Sequence, residues 1–176
     1  LRRQRQMCIR DRAMVLGGIT NGVKNVELTA AYATIANGGV YEKPVFYTKI
    51  TDHDGNVLID NTEAYSRTVL KDSTAWLLTS AMQDVVTTGT GKAVNFGGMS
   101  VAGKTGTTSD NRDVWFVGYT PYYTAGIWAG YDNNHELSSK KGETGYHKKI
   151  WKAVMSRLSE GQSDIGFPKP SSVTSA

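Results

Sequence analysis

The chain has 176 residues, 39% of them hydrophobic, which suits one domain with a core of its own. Its net charge of +4 sits wholly in residues 1–12, LRRQRQMCIRDR, where five arginines face one acid. The other 164 residues carry 15 bases and 15 acids, so the charge gives no ground for a nucleic-acid partner.

No run of about 18 apolar residues occurs, and no signal-peptide pattern is legible. The opening stretch RQMCIRDR resembles an in-frame translation of a transposase adaptor end used in sequencing libraries. It reads as a non-native segment, residues 1–12, rather than as a natural basic arm. It holds Cys8, the single cysteine, so the rest of the chain has neither a disulfide framework nor a cysteine-based metal site. His53, His135 and His147 stand at no ligand spacing and read as surface residues; no metal is expected.

In chain order, NVELTAAYATIANGG predicts a helix with Asn25 as its N-cap, apolar positions at Leu28, Tyr32, Ile35 and Ala36, and a stop at Asn37-Gly38. VFYTKITDHDGNVLID predicts a hairpin turning at Asp54-Gly55. DSTAWLLTSAMQDVV predicts a second helix, capped by Asp72 or Ser73. Leu78, Met82, Val85 and Val86 would face inward, with Leu77 and Ala81 beside them. TTGTGK breaks it with two glycines.

GGMSVAGKTGTT then predicts a strand, and DVWFVGYTPYYTAGIWAGYD predicts two more, joined by a tight turn at Thr120-Pro121. YHKKIWKAVMSRLSEG predicts a last helix with Ile150, Trp151, Val154, Met155 and Leu158 as its apolar stripe, ended by Gly161. FPKPSSVTSA, with two prolines, reads as a linker or truncated tail. The fold class that follows is α+β, an antiparallel sheet flanked by helices.

VAGKTGTTSDN, residues 101–111, carries the chemistry. Alternation on a strand puts Thr105 and Thr107 on one face, where two hydroxyls can bind a carboxylate. Lys104 adds positive charge beside them. Gly106 leaves room where another element comes close, and the Thr107 amide can serve as one donor of an oxyanion hole. Lys-Thr-Gly and Ser-x-Asn both belong to enzymes that acylate a serine, as does Ser-x-x-Lys. Ser109-Asp110-Asn111 fits the second pattern, but lies only five residues from Lys104, about 17 Å along an extended strand, and reads as a turn. Ser138-Ser139-Lys140-Lys141 fits the third. Its setting, NNHELSSKKGETG, is polar and glycine-broken, whereas a lysine acting as base needs one helical turn to stack beside its serine.

Longer blocks agree with a single family. GGITNGVKNVELTAAYATIANGG, TDHDGNVL, VVTTGTGKA, AGKTGTTSDNRDVWFVGYTP and WAGYDN resemble the transpeptidase domain of class A (bifunctional) penicillin-binding proteins, in that family's order. The resemblance implies the C-terminal part of that domain over residues 13–170, with 171–176 as a tail, in an incomplete form of the fold shared with serine β-lactamases.

By the same resemblance, Thr105 and Thr107 hold the terminal carboxylate of a peptidoglycan stem peptide or a β-lactam. Gly106 completes the motif. Lys104 assists proton transfer with the serine of the second motif, and Asp113, Trp115 and Phe116 support the strand. The implied nucleophile motif and Ser-x-Asn loop precede this chain, as do a glycosyltransferase domain and a membrane anchor. The implied location is the extracytoplasmic face of a bacterial membrane, and no cofactor is implied. The rival readings are a D,D-carboxypeptidase or β-lactamase-like hydrolase, and a non-catalytic module that binds peptide at the sheet edge.

Overall fold

The computed structural model describes residues 22–174; the arginine-rich stretch 1–12 with Cys8, and the GGIT start of the first family block, lie outside them. Helix α1 spans Asn25–Ala36. Strand β1, Val40–Glu42, pairs antiparallel with β4, Ser66–Thr68. Between them β2, Lys49–Thr51, pairs with β3, Val57–Asp60. Helix α2 covers Asp72–Thr87, and a 3-10 turn, Lys92–Val94, leads toward the main sheet. That sheet is β5 (Ala102–Thr107), β6 (Asp113–Tyr119) and β7 (Thr124–Gly130), in that order and antiparallel throughout. Helix α3, Tyr146–Leu158, follows. The predicted α+β class is the one found.

The layers follow from the pleat. Gly126 faces Thr29 and Asn25 of α1, while its neighbours Ala125 and Ile127 pack with Trp151 of α3. Alternate residues of a strand point to opposite faces, so α1 and α3 sandwich the sheet. Helix α2 runs beside β5. Two main core clusters result. Val86, Val94, Val101, Phe116, Trp151 and Met155 fill the α3 side. Met82, Ala102 and Tyr119 pack with Tyr32, Ile35 and Phe167. Phe116 meets Trp151 edge-on at 4.9 Å, and the Trp151 indole N–H donates to the Ala125 carbonyl at 2.9 Å. This one side chain therefore both fills the core and fixes α3 over β7.

Several expectations need correction. Asn25 is not a cap: it is the first helical residue, after Lys24. Its amide donates to the Gly126 carbonyl (3.1 Å) and its carbonyl oxygen accepts from the Thr29 hydroxyl (3.1 Å), so it ties α1 to β7. Lys71 precedes α2, and the Asp72 carboxylate accepts only the adjacent Ser73 amide. The buried residues of α2 are Ala75, Thr79, Met82 and Val86, whereas Leu77, Leu78 and Ala81 are exposed. Close approach of α2 to α1 and β5 favours small and hydrogen-bonded side chains on that face.

In α3, Trp151 and Met155 are buried as expected, but the third buried residue is His147, 2% exposed; Ile150, Val154 and Leu158 face outward. The tail is no linker at its start. Phe167 packs edge-on against Tyr119 at 5.4 Å, and the Lys169 ammonium sits 5.3 Å from the centre of the Trp76 ring.

Candidate functional site

Strand β5 carries Lys104, Thr105, Gly106 and Thr107 in consecutive order, its only strand partner among the described residues being β6. The register pairs Thr105 with Phe116 and Thr107 with Val114. Both threonines thus share the face that carries Phe116, on the α3 side, as alternation predicts. Lys104 and Gly106 belong to the opposite face.

Hydrogen bonding within the pair sets where the backbone of β5 points. The Thr108 amide donates to the Asp113 carbonyl at 3.1 Å. In an antiparallel ladder bonded and non-bonded pairs alternate. Thr107–Val114 and Thr105–Phe116 are then non-bonded pairs, and the amides and carbonyls of Thr105 and Thr107 turn away from β6 to the open edge. The Thr105 carbonyl is satisfied there by the Lys104 ammonium at 2.9 Å. The Thr105 hydroxyl meets the Thr90 hydroxyl at 2.7 Å. One edge of one strand therefore presents a hydroxyl, an ammonium and an outward amide, a set that fits an anionic ligand with a carbonyl to polarise.

Two glycines shape this strand by close approach. A Cβ on Gly103 would fall 2.6 Å from the Phe116 ring and 2.8 Å from the Gly118 Cα. A Cβ on Gly106 would meet only the Trp115 side chain, 3.2 Å from its Cβ and in ordinary contact with its ring. The support expected of the following strand is present. The Asp113 carboxylate accepts the Trp128 indole N–H at 3.0 Å, and its amide donates to the Thr108 hydroxyl at 2.8 Å. Phe116 is fully buried.

The two look-alike triplets are elsewhere in character. Ser109-Asp110-Asn111 is a 3-10 turn joining β5 to β6, with Asp110 and Asn111 at φ +60 and +50. Asp and Asn tolerate that left-handed region better than most residues, which accounts for their presence. Ser138-x-x-Lys141, the only Ser-x-x-Lys in the 176 residues, lies in a loop. There the Ser138 amide donates to Glu143 (2.6 Å) and its hydroxyl accepts the Lys141 amide (3.4 Å). Neither serine opens an α-helix.

Among the described residues no cluster of His, Cys, Asp and Glu could hold a metal, and no helix is long and apolar enough to cross a membrane. His53 and His135 are exposed, as expected; His147 is not. Burial, then the neighbouring Lys148 charge, lowers the His147 pKa to about 4. Thr90 is the residue at this edge that sequence reasoning passed over, because TTGTGK reads only as a helix break.

The family model for the penicillin-binding protein transpeptidase domain matches residues 11–156. The chain belongs to the penicillin-binding protein transpeptidase family. It is 35% identical over 167 residues to penicillin-binding protein 1F of Bacillus subtilis, covering 92% of this chain and 23% of that protein. It is 35% identical over 163 residues to penicillin-binding protein 1A of Clostridium acetobutylicum, covering 92% of this chain and 20% of that protein. The chain thus spans between a fifth and a quarter of these curated relatives. Among solved structures, the penicillin-binding protein PonA1 of Mycobacterium tuberculosis superposes with a TM-score of 0.73 at 33% identity, covering 84% of this chain and 41% of that one. Penicillin-binding protein 1A from Haemophilus influenzae shares the fold, with a TM-score of 0.68 at 19% identity over 85% of this chain and 28% of that one. The resemblance to class A proteins read from the sequence blocks agrees with these relatives.

Proposed function

We propose that the chain is the C-terminal part of a peptidoglycan D,D-transpeptidase that cross-links stem peptides through a serine acyl-enzyme and binds penicillin. The observation that carries the reading is the Lys-Thr-Gly-Thr strand at an open sheet edge, in a chain of this family. In this reading Thr105 and Thr107 hold the substrate's terminal carboxylate, and the Thr107 amide is one donor to the oxyanion. Lys104 supplies positive charge and assists proton transfer, and Gly106 leaves room for the ligand backbone. The nucleophile and the second motif would lie on a segment outside these residues, since the one Ser-x-x-Lys present is in a loop.

The serine of that segment attacks the D-Ala–D-Ala amide, D-alanine leaves with the proton, and an amine of a neighbouring stem peptide takes the acyl group. A glycosyltransferase domain, a membrane anchor and an extracytoplasmic location belong to the same proposal, supported by relatives four to five times this chain's length. A hydrolase of the same fold would pass the acyl group to water instead.

Intact-mass measurement after incubation with a β-lactam tests the reading. The isolated chain is expected to gain no adduct, and the complete enzyme one stoichiometric adduct on a serine upstream of residue 22. An adduct on Ser109 or Ser138 would overturn it.

A further inference from the structure

Helix α2 ends at Thr87, and of the four residues Thr87 to Thr90 that lead out of it three are threonines, which do different things. The hydroxyls of Thr87 and Thr88 fold back on the Asp84 carbonyl, at 3.4 and 3.0 Å. The Thr90 hydroxyl instead crosses to β5 and meets that of Thr105 at 2.7 Å.

Its backbone is held on both sides. The Gly89 amide donates to the Asp84 carbonyl (3.0 Å), and the Gly91 amide to the Val85 carbonyl (2.9 Å). These bonds satisfy carbonyls that the last turn of a helix leaves open. Neither glycine has space for a side chain: a Cβ on Gly89 would lie 2.9 Å from the Val85 Cα, and one on Gly91 3.1 Å from the Val85 oxygen. From the other side the Lys148 ammonium of α3 reaches the Thr90 carbonyl at 3.5 Å. Thr90 is therefore the single residue that TGTG can aim at β5, clamped between two tight turns.

A hydroxyl has one proton. If Thr105 donates to Thr90, nothing is left with which it can bind an anion. If Thr90 donates to Thr105, the Thr105 proton is free to point at the open edge, and the bond behind it polarises that hydroxyl further. A bound carboxylate accepts only, so it selects the second arrangement. We infer that Thr90 is a positioning residue for carboxylate recognition, its hydroxyl donating to Thr105 so that Thr105 donates to the ligand. The inference rests on the proposed carboxylate-binding role of Thr105 and extends it to a residue outside the Lys-Thr-Gly motif.

The test uses the complete enzyme, with second-order acylation rates measured for benzylpenicillin and for its methyl ester, which lacks the carboxylate charge. Wild-type enzyme that neither substrate acylates would overturn the functional reading, and the inference with it. Given wild-type acylation, Thr90→Val is expected to slow benzylpenicillin about fivefold, the range of one lost hydrogen bond. It should leave the ester rate unchanged, and Thr90→Ser, which keeps the hydroxyl, should restore the loss. In a Thr105→Val background, Thr90→Val should add nothing. Equal loss on acid and ester, failure of Thr90→Ser to restore the rate, or full additivity with Thr105→Val would each overturn the role of Thr90 alone. If Thr90→Val itself folds poorly, Thr90→Ala takes its place in the single and the double variant, with the same expected split between acid and ester and the same outcomes against the role.

Discussion

The hydroxyl of Thr79 and the phenol of Tyr119 lie 2.8 Å apart in the buried seam between α2 and β6, although 40 residues separate them in sequence. The Thr79 hydroxyl also donates to the Ala75 carbonyl at 2.9 Å. Its proton is therefore committed, and Tyr119 is the donor of the shared bond. The two halves of the pair are not equivalent. Thr79→Val strands a buried phenol and should cost about 2 kcal/mol; Tyr119→Phe leaves Thr79 its bond to Ala75 and should cost about 1 kcal/mol. Urea denaturation followed by tryptophan fluorescence measures both, and the reverse ranking would refute the donor assignment. Burial pushes the Tyr119 pKa up to about 12, partly offset because the Thr79 hydroxyl can turn and donate to the phenolate once it forms. A folded pKa above the unfolded one gives stability that is complete below pH 10 and is lost as pH rises toward 12. Tyr119→Phe should remove that alkaline loss.

His147 gives a window on the acid side. Its folded pKa, about 4, lies below the ordinary value of 6.5 because burial disfavours the charged ring, and Lys148 adds to this. The stability it contributes is present above pH 6.5 and is lost as pH falls toward 4. Its Nδ1 has no hydrogen-bond partner among the described residues, so His147→Leu breaks no bond there. The variant should lose less thermal stability than wild type between pH 7 and pH 5. Identical losses in the two proteins would remove His147 as the cause.

Gly103 and Gly106 look alike in the sequence and differ in what surrounds them. Gly103→Ala forces Cβ into the Phe116 ring and the backbone of β6, and should destabilise by about 3 kcal/mol. Gly106→Ala meets one side-chain carbon at the edge of tolerance, and should cost under about 1 kcal/mol. Its effect should appear instead in acylation of the complete enzyme. Denaturation midpoints of the two variants decide the order.

Leu77 and Leu78 on α2, and Ile150, Val154 and Leu158 on α3, present apolar side chains to solvent, Leu77 being 56% exposed. Contiguous exposed apolar surface binds hydrophobic dyes and loosens packing. The isolated chain should bind anilinonaphthalene sulfonate near neutral pH and melt over a broad range. A sharp, cooperative transition without dye binding would contradict this.

These helices also mark where the sequence was legible. Their positions followed from 3.6-residue periodicity, but periodicity counts apolar residues and does not see the partner. On α2 the buried face proved to be Ala75, Thr79, Met82 and Val86; Ala75 is too small to mark a face by its apolar weight, and Thr79 hides its polarity in a hydrogen bond. The β2–β3 hairpin was visible through Asp54-Gly55, where the Asp52 carboxylate collects the amides of Asp54 and Asn56. Pairing of β1 with β4 was invisible: three residues each, with no local turn between them. At the open edge, Lys104 through Thr107 were readable because motif and strand alternation agree. Thr90 was not, since its bond to Thr105 depends on how α2 lies beside β5.

The docking of Phe167 on Tyr119 has a practical side. Phe167, Pro168, Lys169 and Pro170 line a cavity of about 280 Å³ together with Trp76 and Thr79, so this tail is a wall of the domain. Trimming the chain at Gly161, just past the last helix, would uncap the side of Tyr119 that Phe167 covers. An affinity tag or a fused reporter belongs after Pro170, and a protease that nicks the tail before Phe167 should unlatch the α1–α2 end while leaving the Lys104 edge in place.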